Sequence, residues 1–90
     1  MVIIVKNFMD QDAEVFYLNI MNNLKRDVKI TLDFKGIEKT TYDFLEKTIG
    51  KIIEQKGFES IQNNIRFRNV DTGIKEMLSK LIKDMNKNKV

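Results

Sequence analysis

Between Val28 and Phe34 the chain alternates strictly: Val28, Ile30, Leu32 and Phe34 are apolar, while Lys29, Thr31 and Asp33 are polar. A period of two is the period of a β-strand, so this segment is predicted to rest one face on a core and turn the other to water. Gly36 permits a turn directly after it. A helix is then predicted from about Thr41 to Gln55, because Leu45, Ile49, Ile52 and Ile53, with Phe44 beside them, recur at helical spacing. Thr40 followed three residues later by Asp43 matches a capping box, and Gly57 stops the helix in a left-handed capping position.

The flanking segments extend the same logic. Val2, Ile3, Ile4 and Val5 form a β-branched run that reads as a short first strand, apolar on both sides. Such a strand is either covered on both faces or paired with another chain, so Val2 to Val5 is a candidate dimer edge. Asp10 offers an N-cap to a first helix from about Gln11 to Lys25, with Ala13, Phe16 or Tyr17, Ile20 and Leu24 as its apolar stripe. Phe58 to Asn63 reads as an irregular link with room for one helical turn. Ile65 to Val70 reads as a third strand, with Ile65 and Phe67 on one side and Arg66 and Arg68 on the other. Asp71 or Thr72 caps a last helix carrying Ile74, Met77, Leu78, Leu81, Ile82 and Met85, and the tail Asn86 to Val90 is expected to fray.

The predicted order is βαβαβα, an α/β fold in which right-handed crossovers join parallel strands. If the apolar sides of strands two and three both face helices, every helix lies on one face of a short, mostly parallel three-stranded sheet. The strand order is then 1-2-3, with an open polar face. Ninety residues make a single domain spanning 1–90.

Composition narrows the chemistry. There is no Cys and no His, so thiolate metal clusters, disulfides and the commonest general base are out of reach. Asp33 sits at the carboxyl end of a parallel strand, where open α/β sheets place their ligands, with Thr40 and Thr41 nearby. No nucleophile and base pair can be assembled around them, and no cofactor motif is present, so neither catalysis nor a cofactor is expected. Without a secretory signal or a membrane-length apolar run, a cytoplasmic, soluble protein is expected. The net charge of +3 is mild. Lys29, Arg66 and Arg68 share the polar sheet face and are candidate nucleic-acid contacts. Stacking aromatics are absent there, however, and solvated charge is the simpler account of those residues and of the lysines on the last helix.

One resemblance gathers these pieces. Leu32 to Phe34 as LDF, Gly36, Thr41, the run FLEKTIGKI from Phe44 to Ile52 and the strand IRFRN from Ile65 to Asn69 resemble a STAS-like family of small bacterial proteins of unassigned function. The likeness covers nearly the whole chain and extends distantly to anti-sigma factor antagonists. The chain departs from the family pattern in having Tyr42 and Asp43 where Ser is common in the turn, and in lacking an Arg near the start of the first helix. The resemblance implies a reduced STAS-like fold and a non-catalytic regulatory module that binds a protein, with a kinase-like ATP-binding partner the first candidate. It implies a partner surface at Lys39, Thr40, Thr41, Tyr42 and Asp43, with Thr40 and Thr41 as candidate phosphoacceptors. The phosphorylated Ser of the antagonists falls on Asp43, whose carboxylate at a helix start could imitate the phosphorylated state. Two rival readings are a small basic nucleic-acid-binding protein and a phage-type inhibitor of a host enzyme.

Overall fold

The computed structural model describes residues 1–87, with side chains described as far as Met85. Three strands, β1 (Val2–Ile4), β2 (Ile30–Asp33) and β3 (Ile65–Arg68), form one parallel sheet in the order β1-β2-β3. The register pairs Ile3 with Leu32 and Leu32 with Phe67, so these side chains stand on one face. Ile3, Ile30, Leu32 and Ile65 on that face are buried, whereas Val2, Ile4, Arg66 and Arg68 on the other are exposed. The helices therefore cover one face and leave the other open, as the alternation in β2 requires.

The first helix, α1 (Ala13–Lys25), starts two residues later than the sequence suggested, because Asp12 rather than Asp10 caps it: the Glu14 amide donates to Asp12 Oδ1 at 3.0 Å. A 3-10 turn over Val5–Phe8 ends β1 early, so Val5 belongs to the core and not to the strand. Phe16, Tyr17, Ile20 and Met21 bury α1 against the core, and Ala13 and Leu24 sit at the margin of that stripe. Fully buried Phe and Ile side chains such as Phe16 and Ile20 contribute about 1.5–3 kcal/mol each by leaving water.

The second helical rod is continuous from Tyr42 to Lys56 but not uniform. It opens as α2 (Tyr42–Leu45), widens into a π-helical segment over Glu46–Gly50 and ends as α3 (Lys51–Lys56). Its cap is Thr41, not Thr40: the Phe44 amide donates to Thr41 Oγ1 at 3.1 Å. That single-residue shift dissolves the capping box, because the N3 position is then Phe44 and Asp43 is left to pair with Lys47 at 3.1 Å on the surface. Gly57 does end the rod at φ 85°, but its ψ of 157° is the extended mirror region rather than the left-handed helical one. It also donates to Ile53 O at 2.7 Å.

That extended glycine lets a new helix begin at once. The segment expected to be irregular is α4 (Phe58–Asn64), which buries Ile61. Its last turn runs straight into β3, which ends at Arg68 rather than Val70, because Asn69 turns to φ 56°. The last helix, α5 (Thr72–Lys87), is capped by Asp71, whose Oδ1 accepts from the Gly73 amide at 3.0 Å. Its helical residues run to Lys87, so the tail expected to fray begins within α5, and residues 88–90 lie outside the described residues. Ile74, Leu78 and Leu81 are its buried stripe, flanked by half-buried Met77, Ile82 and Met85.

Candidate functional site

Parallel strands end at the same rim of the sheet, so the segments leaving β1, β2 and β3 converge there. The convergence is held by Asp33, the last residue of β2. Although it lies on the open face, it is only 5 % exposed, because its neighbours close over it. Arg68 Nη2 donates to Asp33 Oδ2 at 2.9 Å, Asn69 Nδ2 donates to Oδ1 at 3.0 Å, and the Lys35 amide donates to Oδ1 at 2.9 Å. The exits of β2 and β3 are thus joined through one carboxylate.

The electrostatics follow from those donors. The Arg68 hydrogen bond above all, then those of Asn69 and the Lys35 amide, hold the Asp33 carboxyl down at about 2, from an ordinary 3.8. A carboxylate this acidic, with both oxygens occupied, is a poor proton acceptor and a poor nucleophile. It acts here as a clasp. Among the described residues no group of three or more His, Cys, Asp or Glu is placed to hold a metal ion.

Beyond the clasp the chain turns through Gly36, which stands at φ 83°. A Cβ there would also lie 3.3 Å from Lys6 Cδ, so the Lys6 stem packs on the turn where a larger residue would block it. Lys6, Gly36, Glu38 and Lys39 border a shallow cleft of about 540 Å³ on one side of the turn. On the other side Lys35, Glu38, Asn69 and Asp71 border a second cleft of about 420 Å³. Ile37 is buried and pins the middle of the loop.

The residues expected to meet a partner are brought together at this rim, though not on equal terms. Lys39, Thr41 and Asp43 are exposed, and Tyr42 is half-buried. The Tyr42 hydroxyl donates to Asp84 Oδ2 of α5 at 2.6 Å, and this hydrogen bond, followed by burial, pushes its pKa up to about 12. Thr41 serves as the helix cap. Thr40 Oγ1 is buried without a hydrogen-bond partner, so of the two candidate phosphoacceptors only Thr41 belongs to an exposed residue.

The other two sets lie elsewhere. Val2 to Val5 are split by the strand geometry: Ile3 and Val5 enter the core, while Val2 and Ile4 project from the open face at 48 % and 40 % exposure. Lys29, just before β2, and Arg66 and Arg68 on β3 are exposed on or beside that face, but the Arg68 charge is met by Asp33. Phe67 points to the helix side and stands 6.2 Å from Phe34, ring centre to ring centre, so it offers no stacking surface to the open face. Several contributors were not picked out as site residues from the sequence. Asn69, the Asn that ends the strand, is one, and Lys35 and Asp84 are others. Lys6, which nothing in a linear reading places beside Gly36, is a fourth.

Residues 12–75, more than half of the chain, match the family described as STAS-like domain of unknown function (DUF4325). The chain belongs to this STAS-like family. The matched segment takes in α1, the rim and the whole of β3, and so includes Asp33, Gly36, Thr41 and Asn69. No curated protein and no solved structure matched the chain. Among the described residues, no helix is long and apolar enough to cross a membrane.

Proposed function

We propose that this STAS-like domain is a non-catalytic regulatory module that docks a protein partner on the rim formed by Lys35 to Asp43. The observation that carries this reading is a turn held from within by named contacts, with an exposed, chemically varied outer surface. Asp33, Ile37 and the Thr41 cap fix the backbone from within. Lys35, Glu38, Lys39, Thr41 and Asp43 face water. A surface ordered before the encounter loses little conformational freedom on binding. The family likeness makes a kinase-like ATP-binding regulator the first partner class to try, with Thr41 as the acceptor hydroxyl. A phosphate on Thr41 Oγ1 would sit at the start of a helix, where free amides and the helix dipole favour negative charge.

The test is capture of partners by the full chain, followed by mass spectrometry and by titration of the purified pair. Binding is expected to fall at least about tenfold with Lys39→Glu or Asp43→Lys and to stay unchanged with Arg66→Ala. A partner whose affinity ignores both rim changes would sink the proposal. So would steeply salt-dependent DNA or RNA binding lost on changing Arg66 and Arg68 to Ala, which favours the nucleic-acid reading. A tight enzyme complex insensitive to Thr41→Ala would favour the inhibitor reading.

A further inference from the structure

We propose that the outer edge of β3, together with the groove between β3 and α5, receives an extended segment of a partner protein in which apolar and acidic side chains alternate. This surface is separate from the rim, and the inference does not depend on what the rim binds.

The backbone comes first. β3 is the last strand of the order β1-β2-β3, so among the described residues its outer edge has no strand beside it. The Phe34 amide donates to Arg68 O at 2.9 Å, which turns the Arg68 main chain toward β2. In a parallel ladder successive residues alternate in direction, so the N–H and C=O of Phe67 point outward, available to an added strand.

The side chains then specify what that strand must carry. On the helix side, Phe67, Val70, Leu78 and Ile82 line a groove of about 310 Å³, with Asn69, Lys75 and Ser79 completing a lining that holds no acidic residue. Phe67, Val70 and Ile82 are half-buried, an apolar surface neither sealed nor fully wet. On the opposite side of the same strand stand Arg66 and Arg68. Arg66 is exposed and makes no ion pair among the described residues. Arg68 keeps 51 % of its side chain exposed despite its bond to Asp33.

A strand added about 4.8 Å from β3 sends alternate side chains to these two faces. Those on the helix side meet the groove and must be apolar. Those on the open side meet two guanidinium groups and are best acidic, because Arg recognises carboxylates through paired hydrogen bonds. A second copy of this chain fits poorly. Its own free strand, Val2 to Ile4, carries no acid to meet the arginines, and the segment Asn86 to Val90 has lysines where carboxylates are needed. The occupant is therefore a different, acidic chain.

The test uses isotope-labelled full-length protein and a short peptide alternating valine with glutamate, followed by amide chemical shifts. Shifts are expected along Ile65–Asn69 and at Leu78 and Ile82, and a peptide with lysine replacing glutamate should bind at least about tenfold more weakly. The change Arg66→Glu, at an exposed position on the face that the acidic side chains meet, is expected to invert that preference in favour of the lysine peptide. Loss of fold cannot produce such an inversion. No shifts at ~1 mM peptide, equal binding of both peptides, or shifts centred on β1 or on Lys35 to Asp43 would overturn the proposal. Displacement of the peptide by a second copy of the protein, or a preference for a single-stranded oligonucleotide over it, would do the same.

Discussion

Thr40 and Thr41 are neighbours of the same chemistry with opposite energetics. Thr41 Oγ1 satisfies the Phe44 amide, and losing a helix cap of this kind costs about 1 kcal/mol. Thr40 Oγ1 is buried with nothing to bond, so its desolvation is uncompensated. Thermal or urea unfolding should therefore show Thr41→Ala destabilised by about 1 kcal/mol, Thr41→Ser near wild type, and Thr40→Val unchanged or more stable by up to about 1 kcal/mol. Destabilisation by Thr40→Val would mean that its hydroxyl is satisfied after all. Asp33 gives a second residue-level expectation. Its folded pKa is depressed to about 2 from 3.8, so its contribution is complete above about pH 4 and is lost as pH falls through 2. Acid titration of unfolding free energy should show a falling limb between those values that Asp33→Asn flattens; an unchanged limb would assign it to other carboxylates. That a polar residue on the water-facing side of an alternating strand would be sealed in was not legible from β2 alone. Alternation assigns Asp33 a side, and only the pairing of β2 with β3 brings Arg68 opposite it.

At the level of elements, the parts that could be read were those whose burial has a clean period. β2 could be read because a slip of one residue would expose Ile30, Leu32 and Phe34 together, which fixes its register. The one-residue error at the helix cap arose because Thr40, with Asp43 three residues on, matches a capping box, while the true cap Thr41 has Phe44 at that position and is marked only by the first helical amide. Two features left little readable signal, the first no more than one helical turn. Phe58 and Ile61 are too few to define a helical stripe in a seven-residue helix such as α4. The π-helical widening is masked because Thr48, Ile49 and Gly50 are all buried, and the Thr48 hydroxyl donates to Phe44 O at 2.8 Å within the rod. Gly50 marks where α5 presses on that widened turn: a Cβ there would lie 3.3 Å from Leu81 Cδ1, and Leu81 is fully buried. Gly50→Ala should thus cost about 1 kcal/mol net, as overpacking of about 1–3 kcal/mol outweighs a helix-propensity gain of about 1 kcal/mol. In a Leu81→Ala background the penalty should vanish in a double-mutant cycle, and plain additivity would show that Leu81 is not the obstruction. The Tyr42 to Asp84 bond joins α2 to α5 in the same region. Tyr42 has its pKa raised from 10.0 to about 12, so its contribution is complete below pH 10 and is lost as pH rises through 12. Tyr42→Phe should abolish that alkaline limb in unfolding measurements, and its persistence would place the alkaline loss elsewhere.

For the whole molecule, order and direction of the strands were legible because helical and strand periods alternate along the chain, and parallel pairing follows from that alternation. What the first strand does at the molecular surface was legible only by half. Its two-sided apolar character resolves into Ile3 and Val5 in the core and Val2 and Ile4 in water. Among the described residues, Met1, Val15 and Leu18 are the other exposed large apolar side chains, and all of these belong to the first strand and helix or to the residue before them. We propose Val2 and Ile4 on the open face as the place for self-association: sedimentation of the full chain at high concentration should reveal a dimer that Val2→Lys with Ile4→Lys returns to monomer. A strict monomer at all concentrations would remove the idea.

The sharing of the Asp33 carboxylate between two strand exits has a mechanical side. Prising the loop at Lys35 away from its neighbour at Asn69 means tearing an acid off its guanidinium and wetting a group now kept dry. A partner that grips either loop therefore pulls on both, and the rim behaves as a stiff handle through which force on one strand is handed to the next.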